Sequence, residues 1–218
     1  MTESTRRRIG TAATTLVVLT AILSTVWNAS RRQELLGSAS IPTGQVVPNW
    51  AQFASARTDN SALVRVVVFS DYECPGCRQL HATLRRLKYR FGDKLDVTVR
   101  HYPLTIHPAA LVAARAAVCA DSVGRFPVMH DWLFDRGVTT ETADWVQGAV
   151  ASGEKDTAAF EVCRTGVGSL DAVTRDIMAG RALGIMVTPT LLIDSLLFGG
   201  APKDLEKIIA RSIAQATH

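Results

Sequence analysis

Residues 63–77 read LVRVVVFSDYECPGC, and this stretch decides the fold. Its first seven residues form a nearly unbroken apolar run rich in β-branched side chains, which is typical of a buried central strand. Pro75 suits the first turn of a helix, and apolar side chains then recur at helical spacing. These side chains are Leu80, Leu84, Leu87 and Phe91. The sequence therefore predicts a strand that leads directly into a helix, with Cys74 and Cys77 at the junction.

The remaining elements predict a mixed α/β fold. Residues 95–102 alternate as a second strand, and residues 108–182 are alanine-rich and interrupted by glycines, which favours several short helices. Two short strands after this region, residues 190–193 and 196–198, indicate a hairpin, and an amphipathic helix begins near Leu205. We therefore expect strand, helix and strand, then an all-helical insertion, then a hairpin and a helix.

The N-terminus carries a long apolar segment. Residues 9–27 are uncharged and mostly apolar, and as a helix they would reach roughly 28 Å, about one hydrocarbon core. A cleaved signal peptide, the alternative, has an apolar region of about 7 to 15 residues followed by small residues, whereas Trp27 and Asn28 stand here. We therefore expect residues 1–30 to be an uncleaved transmembrane or signal-anchor helix that leaves the rest of the chain exported, with secretion after signal cleavage as the alternative.

A tether is expected between this anchor and the folded part. Residues 31–48 are assigned to it because residues 37–48 lack periodicity and are rich in small residues and proline. Folding is predicted to begin at Asn49, with a short capped helix over residues 49–53.

The net charge of +4 is concentrated near the N-terminus. Five arginines set against Glu3 account for all of it, namely Arg6, Arg7, Arg8, Arg31 and Arg32. Residues 33–218 carry 19 basic and 19 acidic residues. The folded part is therefore neutral, which argues against a nucleic acid partner.

Cys74-Pro75-Gly76-Cys77 places two thiols at the start of a helix. Free backbone N–H groups and the positive end of the helix dipole stabilise a thiolate on Cys74 and lower its pKa, so Cys74 is predicted to be the nucleophile. Cys77, one turn further in, is predicted to attack the mixed disulfide and release the partner. The alternatives are half of a structural zinc site, which lacks two further ligands at close spacing, and a purely structural short-loop disulfide.

Thr188-Pro189 is a second signal, because a proline that opens a strand after a helical segment can form a cis peptide. Alone it is weak. An X–Pro bond is cis in only about 5 to 6% of cases, so an ordinary trans proline is the competing interpretation.

Three segments resemble the DsbA-like thiol-disulfide oxidoreductases of the thioredoxin superfamily. They are residues 69–77, His107-Pro108 with residues 116–120, and residues 182–190. The resemblance runs from about Asn49 to the C-terminus and implies a thioredoxin fold built from residues 49–102 and 185–218, with an inserted helical domain at residues 103–184. It also implies that Thr188 and Pro189 form a cis-proline loop facing Cys74, where the backbone of the residue before the proline pairs with the substrate chain.

The resemblance extends to a second cysteine pair, because exported relatives sometimes carry one in the insertion. It implies a structural disulfide between Cys119 and Cys163, with two buried free thiols or a second redox pair as alternatives.

The chain also departs from the family pattern. Val68 stands where thioredoxin and the periplasmic oxidases carry a buried acid. Asp71 and Glu73 are the nearest acids, and two solvated loop carboxylates describe them at least as well as a proton-transfer role. Gly76 cannot supply the side-chain hydrogen bond that a histidine at this place gives the thiolate. For His107 we expect a loop-packing role.

The sequence thus predicts a thiol-disulfide oxidoreductase without a cofactor or metal, at the outer face of a bacterial membrane. The first hypothesis is an oxidase of cysteine pairs in exported proteins. The resemblance implies that a quinone-linked membrane protein reoxidises it. A reductase or isomerase of the same fold, fed by a membrane electron donor, is the second hypothesis. The third is a tethered, non-catalytic thiol or copper-binding module. A dithiol motif does not distinguish the first two.

Overall fold

The computed structural model describes residues 44–54, 62–137 and 145–217. Within these ranges five strands form one sheet: β1 (Gln45–Val46), β2 (Val64–Ser70), β3 (Leu95–His101), β4 (Thr190–Ile193) and β5 (Leu196–Gly199). The α-helices are α1 (Pro75–Phe91), α2 (Ala110–Ser122), α3 (Phe126–Arg136), α4 (Trp145–Ala151), α5 (Thr157–Thr165), α6 (Val167–Ala182) and α7 (Leu205–Ala216). The described residues also contain two short 3₁₀ helices, Trp50–Phe53 and Gly92–Lys94.

The sheet has the strand order β1-β5-β4-β2-β3. Strands β2 and β3 run parallel and are connected through α1, whereas β4 pairs antiparallel with both β2 and β5. The parallel pair needs a crossover, which α1 provides, and the antiparallel pair β4–β5 needs only the turn at residues 194–195. The order of elements agrees with the one predicted, and the fold is mixed α/β.

Strand β2 is buried on both faces because helices cover the sheet on each side. Val66 and Val68 lie in one apolar cluster with Leu84 of α1 and Ile209 of α7. Val67 and Phe69 lie in a second cluster, which includes Tyr102 and Ile185 and packs against Ile177 of α6. The alternation follows from the two-residue period of a strand, and it explains why the sequence of β2 is apolar apart from Arg65 and Ser70.

The sheet begins earlier in the chain than predicted. Gln45 and Val46, within the predicted tether, pair antiparallel with Leu197 and Leu196 of β5. The predicted capped helix after Asn49 is a 3₁₀ helix, and Asn49 has a left-handed φ of 56° without a side-chain cap hydrogen bond. A strand of two residues is too short to show periodicity, which is why the sequence pattern did not reveal it.

The predicted anchor, residues 1–30, lies outside the described residues. Among the helices that are described, none combines the length and apolar character needed to cross a membrane.

Strand β3 forms one edge of the described sheet, and side chains cover part of that edge. The carboxylate of Asp176 on α6 accepts a hydrogen bond from the His101 backbone N–H at 2.9 Å and contacts Arg100 at 2.9 Å. Nε of Arg100 also donates to the carbonyl of Phe53 at 2.9 Å. These contacts fasten α6 and the 3₁₀ helix to the edge strand.

A disulfide joins Cys119 of α2 to Cys163 of α5, with an S–S distance of 2.02 Å. Cys119 is 2% exposed and lies in a cluster of small and aromatic side chains that includes Ala116 and Phe160. Both helices belong to the helical segment between β3 and β4, so the bond ties that segment to itself.

Replacing both Cys119 and Cys163 by alanine should lower the free energy of unfolding by about 4 kcal/mol, because the bond closes a ring across 44 residues of sequence separation. Denaturant unfolding of the oxidised protein and of the double variant measures the difference. The variant should still cycle between dithiol and disulfide at Cys74 and Cys77. An unchanged free energy of unfolding would contradict a stabilising role for the bond.

Candidate active site

Cys74 lies between the end of β2 and the start of α1, directly before the helix begins. It is the N-cap of the helix, with Pro75 in the first turn, and the residue is only 9% exposed. Its backbone N–H donates to the carbonyl of Asp71 at 3.2 Å, and its Sγ lies 3.3 Å from the carbonyl oxygen of Thr188. The motif thus sits at a helix N-terminus, where free N–H groups favour an anion.

Electrostatics favour a thiolate on Cys74. A hydrogen bond from the Cys77 thiol, the largest effect, lowers the pKa of Cys74 to about 5 although burial acts in the opposite direction. The Thr188 side chain and the backbone of Cys77 and Gly76 also lower this pKa. The Thr188 hydroxyl is buried without another hydrogen-bond partner, so it is free to donate to a thiolate. Cys74 is therefore ionised at neutral pH.

The predicted cis-proline loop lies against the cysteine turn. The Thr188–Pro189 peptide bond is cis. A Cβ built on Gly76 would lie 3.1 Å from Cδ of Pro189 and 3.8 Å from Sγ of Cys74. Glycine at this position therefore permits the close approach of the proline ring.

Cys77 has the opposite character. It is 1% exposed, and its Sγ accepts a hydrogen bond from the backbone N–H of Asp71 at 3.4 Å. Its interaction with Cys74 and its burial raise the pKa of the Cys77 thiol far above the ordinary value. One cysteine of the pair is thus a thiolate at the helix N-terminus, and the other is a more deeply buried, protonated thiol.

Asp71 is not the solvated loop carboxylate that the sequence suggested as one interpretation. Its side chain is fully buried, and its two oxygens receive three donors. Oδ1 accepts the N–H of Glu73 at 2.8 Å, while Oδ2 accepts the N–H of Leu104 at 2.8 Å and lies 2.7 Å from Nδ1 of His107. These donors satisfy the hydrogen-bonding needs of both oxygens of this buried carboxyl group.

The neighbouring side chains join the same network. Oε2 of Glu73, which is half-buried, accepts the N–H of Ala109 at 2.5 Å. Burial lowers the pKa of His107, but the hydrogen bond and charge of Asp71 outweigh it and raise the pKa above the ordinary value. His107 thus packs its loop against the cysteine turn and can also carry a positive charge there.

A cavity of about 410 Å³ reaches Cys77 from the side of α3. The sheet contributes mostly apolar side chains to it, including Val68 and Val99, and the helices contribute His81 and His130. The two imidazoles contact each other with ring centroids 4.7 Å apart. Sequence reasoning gave His81 and His130 no role, although the spacing of four residues between Cys77 and His81 places both on one helix face.

Val68 is 3% exposed in β2 and lines this cavity, so the position of the family's buried acid is apolar here. In the described part of the chain, no three or more His, Cys, Asp or Glu side chains form a group that could hold a metal ion.

A scan against family models matches residues 56–211 to the family described as Thioredoxin. Among curated proteins, the chain is similar to the Na⁺/H⁺ antiporter NhaA 1 of Mycolicibacterium vanbaalenii, with 34% identity over 148 residues. That match covers 66% of this chain and 24% of the antiporter. The chain therefore corresponds to about a quarter of the length of this relative.

Solved structures show the same fold. The chain is similar to a thioredoxin-like oxidoreductase from Silicibacter pomeroyi, with 21% identity, a TM-score of 0.64, and coverage of 78% of this chain and 98% of the other. It is also similar to oxidised BdbD from Bacillus subtilis, with 19% identity, a TM-score of 0.64, and coverage of 80% and 98%. These likenesses confirm the thioredoxin-like fold that the sequence resemblance implied. Since the family model spans more than half of the chain, this protein belongs to the thioredoxin family.

Proposed function

We propose that this protein oxidises cysteine pairs in exported proteins, with Cys74 and Cys77 as its catalytic dithiol and disulfide. The observation that carries this proposal is the stabilised thiolate on Cys74, whose pKa is lowered to about 5. A thiolate exists only in the reduced enzyme, so each unit by which its pKa lies below the working pH favours reduction of the enzyme by about 1.4 kcal/mol. An enzyme that prefers to be reduced takes electrons from its substrates.

The oxidative cycle assigns a different step to each cysteine. A substrate thiolate attacks Cys74 in the Cys74–Cys77 disulfide, a substrate–Cys74 disulfide forms, and Cys77 leaves as a thiolate that takes up a proton. A second substrate thiolate then attacks its own half of the mixed disulfide, and Cys74 leaves as a stable thiolate. Two electrons pass from the substrate pair to the enzyme, and a low pKa makes Cys74 the better leaving group.

The surface beside Cys74 supports an extended, apolar substrate segment. Met186 and Val187, next to the cis-proline loop, are 64% and 43% exposed, and Ile106 is 77% exposed next to His107. Exposed apolar side chains at a site are typical of protein–protein recognition. In relatives the backbone of the residue before the proline pairs with the substrate, and that role falls to Thr188 here. Backbone pairing accepts many sequences, which suits a broad range of exported proteins.

The proposed place of action is the outer face of a bacterial membrane, with residues 1–30 as the anchor. The Cys119–Cys163 disulfide supports an oxidising compartment, because such bonds persist mainly outside the cytosol. The reduced enzyme would be reoxidised there by a quinone-linked membrane protein. An anchored enzyme and a membrane partner are confined to the same surface, which shortens the search between them.

The reduction potential of the Cys74–Cys77 pair should lie near that of oxidising enzymes, at about −120 to −180 mV, because the low pKa of Cys74 stabilises the reduced form. Equilibration with glutathione, followed by separation of reduced and oxidised protein, measures it. The Cys119→Ala/Cys163→Ala variant should give the same value and serves as a control for the second pair. A potential near −270 mV would identify a reductase instead.

The alkylation rate of Cys74 in reduced protein should rise with pH around a midpoint of about 5, since only the thiolate reacts. In Cys77→Ala the midpoint should move up towards the ordinary value, because the hydrogen bond from Cys77 is the largest cause of the shift. Iodoacetamide labelling at a series of pH values, read by mass spectrometry, measures both midpoints. A wild-type midpoint near 8.5 would remove the basis of the proposed direction.

Cys77→Ala should accumulate covalent mixed disulfides between Cys74 and exported proteins, because Cys74 still reacts but the Cys77 thiol that would attack Cys74 and release the partner is absent. Cys74→Ala is the matched control and should form none. Gel electrophoresis with and without reductant detects the adducts. If neither variant, or both, formed thiol-sensitive adducts, the assignment of Cys74 as nucleophile and Cys77 as resolving thiol would be wrong.

A further inference from the structure

The chemistry of Cys77 requires a partner for its proton. Cys77 is buried, and burial, which persists when Cys74 is held in a mixed disulfide, raises the pKa of the Cys77 thiol and favours its protonated form. To attack a mixed disulfide on Cys74, the thiol must lose that proton, and as a leaving group it must regain one. The groups that surround Cys77 therefore decide how fast this step proceeds.

Asp71 is close to Cys77 but is unsuited to this task. It reaches the Cys77 sulfur through its backbone N–H, not through its carboxylate. Its two oxygens already receive the N–H groups of Glu73 and Leu104 and contact Nδ1 of His107. A carboxylate that receives these donors holds the loop in place, and its residue contacts the Cys77 sulfur only through the backbone hydrogen bond described above.

Two of the buried histidines are also committed elsewhere. Nδ1 of His130 lies 2.8 Å from the hydroxyl of Tyr72. Burial raises the pKa of Tyr72, so its hydroxyl stays protonated and can donate a hydrogen bond to His130. Burial lowers the pKa of His130 well below its ordinary value, which leaves this imidazole a poor proton acceptor. His101 is 5% exposed and is not among the residues that line the cavity beside Cys77.

His81 satisfies the geometric requirements. It follows Cys77 by one helical turn on α1, so the two Cβ atoms are about 6 Å apart on one face. Both side chains line the 410 Å³ cavity, which is far larger than the roughly 15 Å³ that one water needs and is partly open to solvent. Ser70 lines the same cavity, so bridging water has polar partners between the thiol and the imidazole.

Asp131 connects His81 to the surface. Its Oδ1 lies 2.9 Å from Nε2 of His81, without the alignment of a hydrogen bond, and its side chain is 43% exposed on α3. The ring of His81 stacks on Phe134 with a centroid distance of 4.8 Å, which fixes its plane. The carboxylate stabilises a positive charge on the imidazole and lies where a proton can pass to solvent.

We propose that His81 accepts the proton of Cys77 through water in this cavity when Cys77 attacks a mixed disulfide on Cys74, and returns it when Cys77 leaves. The proton passes from the Cys77 sulfur to His81 as the Cys77 sulfur bonds to the Cys74 sulfur. The bond between Cys74 and the partner sulfur breaks, and the partner leaves as a thiolate with the electron pair. This inference rests on the proposed roles of Cys74 and Cys77.

Several charged and titratable groups set the protonation of His81. Those that face it or share its cavity are Asp131, Asp135 and His130 on α3, Arg85 and Lys88 on α1, and Asp96 on β3. Burial has the largest effect and lowers the pKa of His81, and Asp131 opposes it. The imidazole is therefore neutral at pH 7 and ready to accept a proton.

The test separates the two cysteine steps in the full-length reduced protein with an aromatic disulfide, 5,5′-dithiobis(2-nitrobenzoate). Attack by Cys74 releases the first coloured thiolate, and attack by Cys77 on the resulting mixed disulfide releases the second. His81→Gln should leave the first phase unchanged and slow the second at least about tenfold. His101→Gln is the matched control, since it removes another buried imidazole, and its second phase should equal that of wild type.

The pH profile distinguishes proton transfer from a packing effect. In wild type the second phase should rise as His81 loses its proton, at a pH below the ordinary imidazole range, and then level off. In His81→Gln this step should vanish, and the rate should grow in proportion to hydroxide. A second phase in His81→Gln with the wild-type rate and profile would overturn the proposal, as would equal slowing in His101→Gln.

Two further results keep the test decisive. If His81→Gln fails to fold, Asp131→Asn takes its place, because it changes only a half-exposed carboxylate and should slow the second phase while shifting its pH step downwards. An unchanged step in that variant overturns the proposal. Absence of the first phase in wild type would instead disprove the nucleophilic role of Cys74, and with it the proposed function.

Discussion

A buried carboxylate organises the surroundings of the reactive thiols. The carboxylate of Asp71 accepts hydrogen bonds from the backbone N–H groups of Glu73 and Leu104 and contacts the imidazole of His107. Burial of an unpaired charge would cost several kcal/mol, so these donors have to stay in place for the fold to be stable. Because the backbone N–H of the same residue bonds to the Cys77 sulfur, the constraint is transmitted to the dithiol. The loop at Leu104, the start of α1 and the His107 side chain are therefore held in one arrangement.

That arrangement produces two unlike thiols from one motif. Cys74, at the helix N-terminus, receives hydrogen bonds that favour the thiolate, whereas Cys77 is enclosed and keeps its proton. The hydrogen bond between them works in both directions, because it stabilises the anion on one sulfur by retaining the proton on the other. The pair behaves as one unit that holds a single proton at neutral pH, and its reactivity belongs to that unit more than to either cysteine alone.

Sequence patterns predicted the elements whose signals are local and periodic. Strand β2, helix α1 and the position of the dithiol between them follow from a short apolar run, a proline and the spacing of leucines. The burial of Asp71 could not be predicted, since its partners at Leu104 and His107 lie more than 30 residues away and provide backbone or loop contacts without a residue pattern. The cavity beside His81 likewise depends on how α3 packs across α1, which the sequence of neither helix specifies.

The partly covered edge of the sheet at β3 has a consequence for the pairing of other extended chains with this protein. A free edge strand is a template for other extended chains, and newly exported proteins are extended and rich in apolar segments. Here Asp176 occupies the His101 backbone N–H, and Arg100 fastens the 3₁₀ helix beside β3. An extended chain that approached this edge would therefore meet an obstacle to joining the described sheet as a sixth strand. Under the proposed function, the same obstacle would favour binding at the loop beside Cys74 and would oppose co-aggregation of the protein with extended chains.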